Sequence, residues 1–227
     1  MAMSDYKIVL LALVLWSIAG GNVMAQEGQL EKLHLNAALY RGPVAMDYPL
    51  PFKGTVYVFS DDFISGDVEY NEKLYKGAML NLDSYRGDLC VKLPGSGMVL
   101  VLDRNLVGYF TLGDKVFVHT GDDRSVMPED YYQVLYDGKD QLLKKVEKHF
   151  FMKEGVSLEV YEKYRYYVVK DGKYYKLKKE KHLKRIYPHM RKTIYRTASA
   201  LKRVHDDKDK IFALVMEKIE KSQEGAL

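Results

Sequence analysis

The chain has 227 residues, with 35 Lys and Arg against 31 Asp and Glu, 17 Gly, 6 Pro and one Cys. An apolar share of 47% with little Gly and Pro excludes a collagen-like or low-complexity disordered chain. A single Cys excludes an internal disulfide framework and a cysteine-built metal cluster.

Residues 1–25 have the layout of a secretory signal peptide. Lys7 precedes an apolar run from Ile8 to Ile18, too short for the roughly 20 helical residues that cross a bilayer. Val23 and Ala25 place small residues at the −3 and −1 positions before Gln26. A buried apolar helix is the alternative, and the N-terminal position disfavours it. The pattern predicts an exported protein, periplasmic or secreted. The first residue after the cleavage site is Gln26 and not Cys, so no lipid anchor is expected.

Residues 26–36 read as a short helix or a disordered lead. The helical period is then lost. Alternating runs follow at Thr55–Phe59, Gly66–Tyr70, Ala78–Leu82, Leu89–Leu93, Met98–Leu102, Gly108–Leu112 and Val116–His119. Gly, Asp, Asn and Pro punctuate them, which predicts an antiparallel meander closing as a barrel, roll or sandwich. Asp137-Gly138 and Asp171-Gly172 each sit between Tyr- and Lys-rich alternating runs, and such pairs favour the type I′ turns of tight hairpins. The two hairpins align at an offset of 34 residues, two copies being too few for a solenoid.

The last stretch turns helical. Lys179–Ile186 predicts a short helix, and Pro188 suits the first turn of another reaching about Arg203. Asp206 or Asp207 is placed to cap a third, whose Ile211, Leu214, Val215 and Ile219 form an apolar stripe. The expected fold class is α+β, an antiparallel β-meander or roll with Tyr/Lys-rich hairpins and a C-terminal helical segment. The expected division is a signal peptide over 1–25, a β-rich domain over 26–178, and a basic helical segment over 179–222 packed on it.

Charge is uneven. Residues 26–125 hold 10 Lys and Arg against 14 Asp and Glu, whereas residues 126–227 hold 24 against 16. Lys163–Arg203 alone has 15 basic residues against Asp171 and Glu180. Tyr164, Tyr166, Tyr167, Tyr174, Tyr175, Tyr187 and Tyr195 are interleaved with them. A solvated surface with Lys stems over apolar neighbours explains such a pattern. An anion-docking face explains it equally, with salt-sensitive binding. Nucleic acid would use the same residues, but export removes it as a partner.

Catalytic motifs are sparse. No G-x-S-x-G, phosphate-binding loop or H-E-x-x-H occurs. Ser199-Ala200-Leu201-Lys202 fits S-x-x-K without its companion motifs, at a frequency chance supplies. Asp67–Ala78 fails as a calcium loop, with Glu72 where Gly is required and Ala78 where Glu is required. The remaining acid–base pairings would be Asp62 with Asp122 or Asp123, and His119 with Asp122, with turn solvation and a half-buried His as the plainer readings. Cys90 alternates with Leu89 and Val91, which suits a buried strand thiol better than a reactive one. No cofactor or metal is expected.

The stretch from Tyr75 to Asp83 (YKGAMLNLD), then Asp88 to Pro94 (DLCVKLP), then Lys170 to His189 (KDGKYYKLKKEKHLKRIYPH) resembles a group of uncharacterised exported proteins of Bacteroidetes-type Gram-negative bacteria, over roughly residues 40–220. The resemblance implies a periplasmic or envelope address and brings no catalytic residues.

The resulting expectation is a non-enzymatic binding or scaffold protein that docks an anionic envelope component or envelope protein, with peripheral membrane contact allowed. Arg165, Lys170, Lys173, Lys176, Lys178 and Lys179 would supply charge, with Tyr167 and Tyr175 as stacking surfaces. The alternatives are a hydrolase of envelope glycan or peptide, and a structural subunit pairing through exposed strand edges.

Overall fold

A computed structural model describes residues 38–120, 126–155 and 157–224. The predicted signal peptide, the stretch 26–36, Asp122 and Asp123 lie outside the described residues. Ten strands form one sheet: β1 (Ile64–Tyr70), β2 (Lys73–Asp83), β3 (Asp88–Lys92), β4 (Val99–Val101), β5 (Val107–Leu112), β6 (Lys115–Thr120), β7 (Asp130–Asp137), β8 (Gln141–Lys153), β9 (Ser157–Lys170) and β10 (Lys173–Leu177). Their order is β10-β9-β8-β7-β6-β5-β1-β2-β3-β4, and every neighbouring pair is antiparallel. The protein is therefore mixed α+β and mostly β.

The sheet rolls back on itself. The backbone N–H of Lys148 on β8 donates to the Ser84 carbonyl just past β2, although five pairing steps separate those strands. Rolling creates an inside, and alternation fills it. Val68, Leu80, Leu89, Val91, Phe110 and Phe117 meet there. Phe110 stacks on Phe117 with centroids 5.0 Å apart, and Tyr131 meets Phe110 edge-on at 5.3 Å. Each such fully buried side chain contributes roughly 1.5–3 kcal/mol relative to exposure.

The expected strand Thr55–Phe59 is instead part of an irregular strap over residues 43–62, with one bridge from Tyr57 to Asp83. The cause is competition for edges. β1 pairs with β2 only as far as Leu80, so the last residues of β2 have one side vacant. The strap fills it: Val58 N–H donates to Leu82 O and Ser84 N–H to Val56 O. The buried amide of Asn81 then donates to Ser60 O and Asp62 O. At one end the strap lies along β4, with Ala45 N–H to Val99 O and Val101 N–H to Pro43 O. Further along, Lys53 reaches β9, donating to Leu158 O and accepting from Val160 N–H.

Both Asp-Gly hairpins form. Asp171 and Gly172 adopt φ of 48° and 69° in a two-residue loop closed by Lys170 and Lys173, as the pair predicts. The first hairpin differs: Asp137 pairs with Gln141, which makes the loop Gly138-Lys139-Asp140.

Three helices follow: α1 (Leu183–Ile186), α2 (Arg191–Leu201) and α3 (Lys208–Glu224). Short 3₁₀ turns over Glu180–His182 and Pro188–Met190 lead into the first two. Asp207 caps α3, its Oδ1 accepting from the Asp209 N–H at 2.8 Å. Ile211, Phe212, Val215, Met216 and Ile219 of α3 are buried with Ile194 and Ala198 of α2 against Leu142, Tyr166, Val168 and Leu177 of the sheet. Of the predicted stripe, Leu214 alone remains half-buried. On the opposite face of the same strands, Met127, Tyr132, Leu143 and Tyr167 form a smaller cluster.

Candidate functional site

The strand register divides the basic stretch between two faces. Lys176 lies directly opposite Tyr167, and so shares its face with Tyr167 and Arg165, away from the helices. Lys170, Lys173 and Tyr175 lie on the helix-bearing face with Val168. The eight residues singled out by sequence are thus not one surface.

Nor are all eight available. Tyr167 is 0% exposed, packed edge-on to Tyr132 at 5.6 Å, so it offers no ring face to a partner. Tyr175 is half-buried against the helical core. Arg165 Nε lies 2.8 Å from Glu147, and Lys170 Nζ lies 3.4 Å from Asp140 and 3.1 Å from Asp171. Lys173, Lys176, Lys178 and Lys179 are exposed.

A wider contrast accompanies this. Cations on the long β8–β9 hairpin are matched by carboxylates: Lys144 with Asp209, Lys145 with Asp130, Lys148 with Glu162 and Lys153 with Glu159. From Lys173 to Arg203 the chain has 12 Lys and Arg and one acid, Glu180. Glu180 is taken by Lys202, Nζ to Oε1 2.6 Å. Partial burial raises the Glu180 carboxyl, but the hydrogen bond from Lys202, a backbone hydrogen bond and the charges of Lys202 and Lys179 together hold it below the usual carboxylate range. Among the described residues, Lys181, Arg185, Arg191, Lys192, Arg196 and Arg203 have no carboxylate within 4.0 Å, and all six are exposed.

Sequence reasoning counted those cations in the basic stretch Lys163–Arg203 but singled out none of them. The signal was present: Ile194, Ala198 and Leu201 recur at helical spacing, which directs Lys192, Arg196 and Arg203 outward. Between the Glu180–His182 turn, α1 and α2 lies a groove of about 300 Å³, lined by Glu180, Lys181, Lys184, Tyr195, Ser199 and Lys202 over Ile194 and Ala198. Ser199 and Lys202 are the S-x-x-K pair. The Lys202 ammonium is engaged by Glu180, which leaves no evident base for a serine nucleophile.

A second polar pocket, of about 190 Å³, lies under the strap beside Asp83, Arg86 and Cys90. Asp83 Oδ2 accepts from the Tyr48 hydroxyl at 2.6 Å, and Oδ1 accepts from the backbone N–H groups of Tyr85 and Arg86 at 3.0 and 2.9 Å. The Arg86 guanidinium lies 4.0 Å from the Tyr48 ring centroid and donates to Met46 O. Burial pushes the Cys90 thiol up to about 12, reinforced by Asp83 and Asp88. It is a packed thiol and not a nucleophile at neutral pH.

His119 meets Glu129 at 3.5 Å and the Tyr131 ring at 5.2 Å, and burial lowers its pKa. Asp61 accepts from the Thr55 hydroxyl within the strap. Among the described residues no group of three His, Cys, Asp or Glu side chains is placed to hold a metal ion, and no helix is long and apolar enough to cross a membrane. Comparison of the chain with protein-family models, with curated proteins and with solved structures finds no match in any of the three.

Proposed function

We propose that this chain is an exported, non-enzymatic binding or scaffold protein that docks an anionic envelope component through the segment from β10 to α2. The carrying observation is the contrast in pairing. Among the described residues, the four lysines of β8, with Arg165 and Lys170 of β9, are paired with carboxylates within the fold and Lys163 is not, whereas the cations from Lys173 to Arg203, all exposed except the half-buried Lys184, surround a single acid that is already engaged. Unneutralised like charge destabilises a folded state and accelerates association with an opposite charge. Such a cluster is most economically explained by a partner that completes it.

The test is sedimentation of the purified protein with anionic and with neutral lipid vesicles at about 50 and about 500 mM salt. Selective binding to anionic vesicles, weakened by salt, is expected. Charge reversal at Arg185, Lys192 and Arg196 to Glu should abolish it without shifting the unfolding midpoint, because all three side chains are exposed. Absence of binding at both salt concentrations would reject a lipid-surface partner and turn the search to an acidic envelope protein, by crosslinking in intact cells.

A further inference from the structure

The groove beside α2 differs from the surrounding basic surface in being concave and chemically mixed. Its floor is apolar, from Ile194 and Ala198, both buried. Its rim carries three ammonium groups, on Lys181, Lys184 and Lys202, and the Ser199 hydroxyl. The Lys184 ammonium lies 4.7 Å from the centroid of the Tyr195 ring, which is itself 62% exposed. Glu180 neutralises one of the three lysines, so the lining has a net charge of +2. Its volume of about 300 Å³ is enough for one small ligand.

We propose that this groove is a binding site for a phosphate monoester carried on an apolar or ring-shaped body. A monoester approaches a charge of −2 near neutral pH, as protein phosphoryl groups do, which matches the lining; a phosphodiester carries only −1. The phosphate oxygens would accept from Lys181, Lys184 and Ser199. The body would lie against the exposed Tyr195 ring, over the closed floor that Ile194 and Ala198 form. Lys202, already held by Glu180, serves as a fixed wall. This rests on the reading of the basic segment as a docking face, and it names the chemistry that the face selects.

Two probes separate the groove from the general face. The first is phenyl phosphate, titrated by calorimetry against the full-length protein, with inorganic phosphate and phenol as controls. Saturable binding is expected for phenyl phosphate, about tenfold tighter than for inorganic phosphate, and none for phenol. Lys184→Ala and Ser199→Ala should each weaken it by about five- to tenfold, with the unfolding midpoint checked in parallel. The second is a pair of vesicle types matched in surface charge, one containing phosphatidic acid and the other phosphatidylglycerol. Preference for phosphatidic acid, lost in Lys184→Ala, is expected and identifies a lipid source. Phenyl phosphate binding without vesicle binding supports the groove with a soluble ligand, and rejects the lipid-surface partner instead. Equal binding to both vesicle types with no phenyl phosphate binding overturns the groove while leaving the wider face standing. Absence of binding to every probe overturns the groove and rejects a lipid-surface partner, so that an acidic envelope protein is the one partner left for the wider face.

Discussion

Asp83 is 4% exposed and receives three hydrogen bonds, from the Tyr48 hydroxyl and two backbone N–H groups of the β2–β3 turn. One carboxylate thus fixes both the turn and the strap that crosses it. Tyr48→Phe removes the hydroxyl donor while keeping the ring among Phe52, Tyr85 and Phe150, at centroid distances of 5.4, 5.9 and 5.6 Å. The expected loss is about 1.5–3 kcal/mol in urea unfolding, the range for a hydrogen bond to a charged group. Asp83→Ala should cost at least as much, because it also removes the acceptor of the Tyr85 and Arg86 backbone N–H groups in the β2–β3 turn. Cys90 lies on the same side of the sheet, and its thiol is raised to about 12. At pH 8 the native protein should react with a thiol-labelling reagent orders of magnitude more slowly than the urea-unfolded chain, followed by mass spectrometry. Prompt labelling of the native state would show that the strap does not seal the pocket. The packed state of Cys90 was legible in part: no His or second Cys lies near it in sequence, although its own phase of the strand carries Asp88 and Lys92. The Tyr48–Asp83 bond was not, because 35 residues separate partners that alternation does not relate.

At the scale of elements, turn chemistry was legible where it acts through φ. Asn71-Glu72, with φ of 52° and 61°, and Asp171-Gly172 both close two-residue loops. Gly138 is glycine for a different reason. A Cβ at that position would collide with the Glu220 carboxylate and the Tyr136 ring, because α3 is pinned to this loop. Glu220 accepts from the Tyr136 hydroxyl and from the Lys139 N–H. Gly138→Ala is therefore expected to displace the Glu220 carboxylate and the Tyr136 ring end and to destabilise the fold by about 0.5–1 kcal/mol, the worth of the hydrogen bond disturbed. In a Glu220→Ala background the same substitution should cost about half as much, a coupling that a double-mutant cycle reads directly. Full additivity would mean that the helix and the loop do not constrain each other. The strand expected over Thr55–Phe59 failed in the same manner as Gly138: its alternation is genuine, but pairing depends on which edges β1 leaves vacant. Likewise, Arg165 and Tyr167 share a face by simple alternation, while only the tertiary packing reveals that Tyr167 is enclosed.

For the whole molecule, the helices are structural before they are functional. They cover Leu142, Tyr166, Val168 and Leu177, so a chain ended after Leu177 would expose this core to water. Such a truncation is expected to bind a hydrophobic dye and to lose cooperative unfolding, measured by fluorescence and circular dichroism, rather than to remove a detachable docking segment. Point substitutions on the outward face of α2 are the appropriate probes of binding. The fold class followed from periodicity and punctuation, whereas the rolling of the sheet depends on long-range closure, as between Lys148 and Ser84. The strap has one more implication. By lying along β4 it blocks that border of the sheet, while among the described residues no backbone group pairs with the far side of β10. Strand addition is thus open in one direction only. A neighbouring molecule that joined β10 to β10 would consume the free border of both, so growth would end at a pair and could not propagate into a fibre.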